Sequence, residues 1–258
     1  MTRDFGHVRL GSAAVARVED GQTPTTLLRS RFKDVPSIEG LRRRPGADWF
    51  LFVNGVEHGD AHQELAPGDR LQWDYRSTAA VGDVPAIVGA FPEPLLHGTG
   101  GKRRPVRLEC DTAAAAACKA VDERLRAVGV FATRSTLGAP GTQSVIRVVV
   151  GLWPRVAVTA AMLEDAPRES GVFARFASGG LQLLDEDGRA VRTVRPGDGT
   201  GLVAAVRPRE DELVWIVTAL DHEGLTAAAD SLTGSRLRDA YAVAATGPAT
   251  EKLPLAGR

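Results

Sequence analysis

The sequence predicts two units in series: an α+β unit of strand, strand, helix, strand, strand order over residues 1–80, then an α/β unit over residues 84–258. Three observations carry this. The aromatic run Trp49 to Val53 ends at Asn54-Gly55, a dipeptide that accepts positive φ and turns a chain sharply. Leu71, Trp73 and Tyr75 alternate with Arg70, Gln72 and Asp74, the period-2 pattern of a strand with one covered face. Beyond residue 105, β-branched runs alternate with helical patterns, which implies layered strands and helices with partly parallel pairing.

In chain order, Val8 and Leu10, then Ala14, Ala16 and Val18, flank Gly11-Ser12 and predict a hairpin. Thr23-Pro24 supplies an N-cap and a proline at the first helical position, where its missing N–H costs nothing. Leu27, Leu28 and Phe32 give that helix one apolar stripe, and Pro36 stops it. The two aromatic strands follow. This ββαββ order fits a β-grasp, one helix packed across a small mixed sheet. Gly82, Pro85, Gly89, Pro92, Pro94 and Gly98 crowd the next segment, which reads as a boundary near residues 77–105 with a separate core on each side.

Past a short strand at Val84–Val88, strands are predicted over Val106–Cys110, Val145–Val150, Val172–Phe176, Leu202–Val206 and Leu213–Leu220. Leu181–Leu184 and Val191–Val194 pair across the turn Asp187-Gly188. One helix is capped by Asp111 or Thr112 and ended by Gly129, a second runs over 157–163, and a third is capped by Asp221.

The composition is ordinary for a globular chain, with 43% hydrophobic and 25% charged residues among 258. The formal net charge is zero, so no global field draws in nucleic acid or an anionic membrane, and no nucleic-acid partner is expected. Four lysines stand against twenty-eight arginines and Asn54 is the only asparagine, a bias that fits a GC-rich genome better than a function. Arg42-Arg43-Arg44 and Lys102-Arg103-Arg104 read as solvated loops. No apolar run reaches the length of a membrane helix, and Met1 to Phe5 does not read as a signal peptide.

Cys110 and Cys118 are the only cysteines, placed at a strand end and two turns into the following helix. Eight residues is the wrong spacing for a redox Cys-x-x-Cys, and two thiols alone make no structural zinc site. They read as a disulfide, which favours an exported protein; two buried free thiols are the alternative. His58, Asp60 and His62 are metal-ligand types, but Gly59 opposes helical geometry and no fourth ligand is evident, so no metal is expected. Asp185-Glu186-Asp187-Gly188 lacks the later ligands of a calcium loop. Gly98-Thr99-Gly100-Gly101-Lys102 lacks the spacing of a phosphate loop and reads as a linker, and His97 beside it as a capped loop histidine. No nucleophile elbow is present, and nothing here argues for an enzyme.

The run Asp48-Trp-Phe-Leu-Phe-Val-Asn-Gly-Val-Glu57, followed by Leu65-Ala-Pro-Gly-Asp-Arg-Leu-Gln-Trp-Asp-Tyr75, resembles the transcobalamin-C-terminal-like domain, a β-grasp family of the soluble-ligand-binding type. The likeness covers residues 5–76. Residues 84–98 and 170–176 resemble the second half of actinobacterial proteins that carry this domain and that resemble exported lipoproteins. The resemblance implies a non-catalytic, extracellular or cell-surface protein, lipid-anchored in its precursor, that binds a corrinoid or other small molecule and works with that ligand or with a membrane transport component. No resident cofactor is implied; the corrinoid would be the ligand.

Such a macrocycle suits Trp49, Phe50 and Trp73 for apolar contact, with Asn54, Gln63 and Gln72 as hydrogen-bonding partners. Residues 84–258 would form the opposite wall. Strand alternation puts Trp49, Leu51 and Val53 on one face and Phe50 and Phe52 on the other, so one face is core and the other is the site. The rival expectation is a structural or interaction module that docks a partner protein through the same surface.

Overall fold

The computed structural model of the chain describes residues 1–31, 40–59, 61–139, 145–177 and 179–256. It is a mixed α/β structure with three sheets and few helices. The N-terminal elements are β1 (Thr2–Arg3), β2 (Val8–Arg9), α1 (Pro24–Arg31), β3 (Ala47–Val53), β4 (Val56–Glu57) and β5 (Leu71–Ser77). They form a five-stranded sheet of order β2-β1-β5-β3-β4, in which only β1 and β5 run parallel.

The first hairpin differs from expectation: it joins Thr2–Arg3 to Val8–Arg9, and residues 14–18 form no strand. Asp4, Phe5 and Gly6 all carry positive φ (55°, 56° and 78°), so the chain reverses there rather than at Gly11-Ser12. The cause is tertiary, because this reversal drives Phe5 into the core at 1% exposure. Helix α1 starts as predicted. Thr23 Oγ1 accepts from the Thr26 N–H at 3.2 Å while Thr26 Oγ1 accepts from the Thr23 N–H at 2.8 Å, a reciprocal cap. The predicted stripe member Phe32 lies outside the described residues. Asn54 and Gly55 take φ of 55° and 75°, the two-residue turn their identity demands, and lead from β3 into β4.

The remaining elements are β6 (Val106–Cys110), α2 (Ala115–Ala127), β7 (Thr133–Thr136), β8 (Ile146–Leu152), α3 (Trp153–Val156), β9 (Ala174–Ala177), β10 (Gly180–Leu184), β11 (Ala190–Val194), β12 (Thr200–Arg209), β13 (Glu212–Ala219), α4 (His222–Asp230), β14 (Ala242–Thr246) and β15 (Ala249–Leu253). A seven-stranded sheet has the order β15-β14-β12-β13-β8-β6-β7, and its β13, β8, β6 and β7 are mutually parallel. β11, β10 and β9 form a small antiparallel sheet. Asp111 and Asp221 cap as expected, accepting from Ala113 N and Gly224 N respectively. Cys110 and Cys118 are disulfide-bonded, with their Cα atoms 6.0 Å apart.

Two predicted elements are displaced. Val84–Val88 forms no strand, only an isolated bridge between Val56 and Ala86. The helix predicted over 157–163 is replaced by α3, which begins at once after β8 with Pro154 in its first turn, and by a short 3-10 turn at Ala161–Leu163. Packing sets both, since Val84 and Val88 in the first and Val156, Ala160 and Leu163 in the second are all fully buried.

The seven-stranded sheet has two covered faces. On one, Leu108, Val148, Trp215 and Val217 pack under α2 and α4 through Val121, Leu125 and Leu225. Close approach of α4 requires glycine: a Cβ on Gly201 would lie 2.1 Å from the Gly224 carbonyl oxygen. On the other face, Val149, Leu202, Val214 and Ile216 join Phe173, Leu181 and Leu183. Phe5 and Phe52 of the N-terminal sheet belong to this same cluster. The sequence predicts a separate core for each half; instead, the inner face of the N-terminal sheet is covered by the second half.

Candidate functional site

The two aromatic strands pair Trp49 with Tyr75, Leu51 with Trp73 and Val53 with Leu71 on the outer face. They pair Asp48 with Arg76, Phe50 with Asp74 and Phe52 with Gln72 on the inner face. Everything the N-terminal sheet can do follows from this division.

The inner face is a packed joint. Phe5 lies 4.8 Å from Phe173 and 5.2 Å from Tyr241 between ring centroids, and Phe52 lies 5.4 Å from Tyr241. The Asp74 carboxylate is fully buried among these rings and is satisfied by three donors: Thr2 Oγ1 at 2.6 Å, the Gly6 N–H at 3.1 Å and the Tyr241 hydroxyl at 2.8 Å. Burial raises the Asp74 pKa, against the pull of those hydrogen bonds and of Arg76, and it pushes the Tyr241 hydroxyl well above its usual value. The Arg76 guanidinium lies 3.6 Å above the Phe50 ring and donates to the carbonyls of Val81 and Gly82. A carboxylate so enclosed has no path to a substrate; the network clasps the two halves together. Glu57, at the sheet edge, adds to the clasp by accepting from the Val84 N–H at 2.6 Å. Burial raises its pKa to about 7.

The outer face is covered unevenly. At one end, the Trp49 indole donates to the Leu41 carbonyl at 3.0 Å and the Tyr75 hydroxyl to that of Arg42 at 2.8 Å. At the other end, α1 stands beside β5, and Leu27, Leu28, Val15, Leu71 and Trp73 line an apolar groove of about 80 Å³ beside Met1. Trp73 is half-buried there, and its Nε1–H is buried without a hydrogen bond.

The six predicted ligand contacts therefore do not converge. Trp49 and Trp73 share the outer face, and Phe50 and Gln72 the inner, where the Gln72 amide donates to the Asp239 carbonyl at 3.2 Å. Asn54 is fully buried, and both its amide protons are engaged, by Asp69 at 2.7 Å and the Gly98 carbonyl at 2.8 Å, while its oxygen accepts from the Arg70 N–H. The Gln63 amide lies over Gly100. Of the six, Trp73 alone lines the groove. Of its other walls, Leu27 belongs to the predicted helix stripe, and Val15 carried no signal of its own. Asp74 and Tyr241 carried no sequence signal, being 167 residues apart.

Asp60 lies outside the described residues, and His58 and His62 each have partners of their own. Among the described residues no group of three or more His, Cys, Asp or Glu side chains is placed to hold a metal ion, and no helix is long and apolar enough to cross a membrane. No family model and no curated protein matches the chain.

Proposed function

We propose that this is a non-catalytic binding protein whose N-terminal half, a β-grasp domain of the soluble-ligand-binding type, takes the apolar part of a small molecule in the groove over Trp73. The observation that carries the reading is the groove itself, an apolar recess between helix and sheet with an indole in its wall. The five-stranded order, with β1 parallel to β5, supports the β-grasp assignment. The sequence resemblance supports a corrinoid as the first ligand to test. Phe5, Phe52, Phe173 and Tyr241 fill the joint between the halves, so a corrinoid would lie over the groove mouth rather than between the halves. The disulfide supports export to the cell surface.

The size of the groove favours a second reading. At about 80 Å³ it is well short of the roughly 300–1,000 Å³ of a drug-sized ligand site and suits one or two apolar side chains of a docking protein.

The test is a titration with cobalamin, read by tryptophan emission corrected for absorption and by calorimetry, on the wild type and on Leu27→Glu. Small-molecule binding gives saturable heat and quenching in the wild type, both lost when a carboxylate enters the groove. No heat at saturating cobalamin sinks the corrinoid. Photocrosslinking from position 27 in the native host then decides for the docking reading if it captures one partner protein.

A further inference from the structure

The short Gly98–Lys102 segment is a tight hairpin: Thr99 and Lys102 exchange backbone hydrogen bonds, and Gly100 and Gly101 take φ of 59° and 69°. This turn stands against the tip of the β12–β13 hairpin, and a recess opens between them to solvent. Its floor is apolar, made by Val56, Ile146 and Leu213, all buried. Its rim carries Thr99 and two arginines, Arg104 and Arg207.

The placement of these arginines is unusual. Arg104 donates to the Asp211 carbonyl at 2.8 Å, and Arg207 donates to the carbonyl of Glu210, one residue before it. Consecutive carbonyls thus hold two guanidiniums side by side. Arg147 and Arg209 both pair with Glu212, yet neither Arg104 nor Arg207 forms an ion pair among the described residues. Glu210 is the one carboxylate lining the recess, and it is exposed. Burial lowers the Arg207 pKa; Glu210 opposes this and the charge of Arg104 adds to it. Glu210 offsets one of the two positive charges, and the second is costly in a half-buried place unless a further counter-charge joins it. Each guanidinium has five N–H donors, and one backbone carbonyl occupies a single donor of each.

We propose that the mouth of this recess, about 30 Å³ in volume, is an oxyanion site at which Arg104 and Arg207 grip a phosphate or carboxylate head. Guanidinium forks match the geometry of both head groups. The site is separate from the Trp73 groove, and neither reading depends on the other.

The probes are inorganic phosphate and acetate against chloride at equal ionic strength, read by calorimetry and thermal unfolding. The wild type is compared with Arg104→Gln/Arg207→Gln and with Arg207→Lys. Phosphate stabilises many proteins by exclusion from their surfaces, so the variant comparison carries the result. Saturable binding in the wild type, at least tenfold weaker in the double variant and intermediate in Arg207→Lys, supports the site. Binding of phosphate alone or of acetate alone then names the head group. If the arginines serve only to anchor the hairpin through its carbonyls, the double variant lowers Tm by the same amount in chloride and in phosphate. That outcome, or wild-type heats no larger than with chloride, overturns the proposal.

Discussion

Glu57 offers a direct measurement of how the two halves are joined. Its carboxyl sits on β4 and accepts the Val84 N–H at 2.6 Å, tying the N-terminal sheet to the chain that enters the second half. Burial is the main cause of its raised pKa, 4.5 to about 7, and outweighs Arg76 and the Val84 hydrogen bond. Between those two values the folded protein holds a proton that the unfolded chain has lost. Stability therefore falls as pH rises from 4.5 to 7 and is level with respect to this group on either side. At about 1.4 kcal/mol for each tenfold in proton affinity, the full displacement corresponds to at most about 3 kcal/mol. Glu57 is only partly buried, and solvent screening reduces this to about 1–2 kcal/mol.

Glu57→Gln keeps an oxygen for the Val84 N–H and removes the titration. At pH 8 the variant should exceed the wild type by about 1–2 kcal/mol, and at pH 4.5 the two should agree. Urea unfolding of both proteins at pH 4.5, 5.5, 6.5 and 8 gives the difference directly, and pairing the curves cancels the raised pKa of Asp74. A wild-type-minus-variant difference that does not change with pH would refute the argument.

Three further outcomes follow from the same contacts. Replacing Cys110 and Cys118 by serine should cost about 2–3 kcal/mol, from release of a short closed loop in the unfolded chain; two titratable thiols in unreduced wild-type protein would show that the bond is not made. Tyr241→Phe removes one of three donors to Asp74 and should lower stability by about 1–3 kcal/mol, measured by denaturant midpoint; an unchanged midpoint would mean that the clasp contributes nothing. Gly6→Ala must add a Cβ at positive φ, 1.8 Å from the Asp239 carbonyl oxygen, and should cost about 2 kcal/mol or more and speed proteolysis between the halves; wild-type protease resistance would place that contact elsewhere.

The sequence alone determined what short-range physics controls. Asn54-Gly55 turns because both residues accept positive φ. Thr23, Asp111 and Asp221 cap because their oxygens reach nearby backbone N–H groups. Trp49 and Phe50 fall on opposite faces because a strand alternates. Only the tertiary structure decided which face is the joint. Alternation sorts side chains into two sets but carries no mark of which set a distant segment will cover. Phe5 is driven inward by Phe173 and Tyr241, and that contact, not Gly11-Ser12, sets the first hairpin. β14 and β15 escaped prediction because Ala242–Thr246 is alanine-rich and is a strand only through pairing with β12. Asp74 reads as a solvent-facing strand residue until Thr2 and Tyr241 close on it. Arg104 reads as part of a basic loop until the β12–β13 hairpin sets Arg207 beside it. In each case a polar or small residue is assigned its place by partners far along the chain, and only the folded chain brings those partners near.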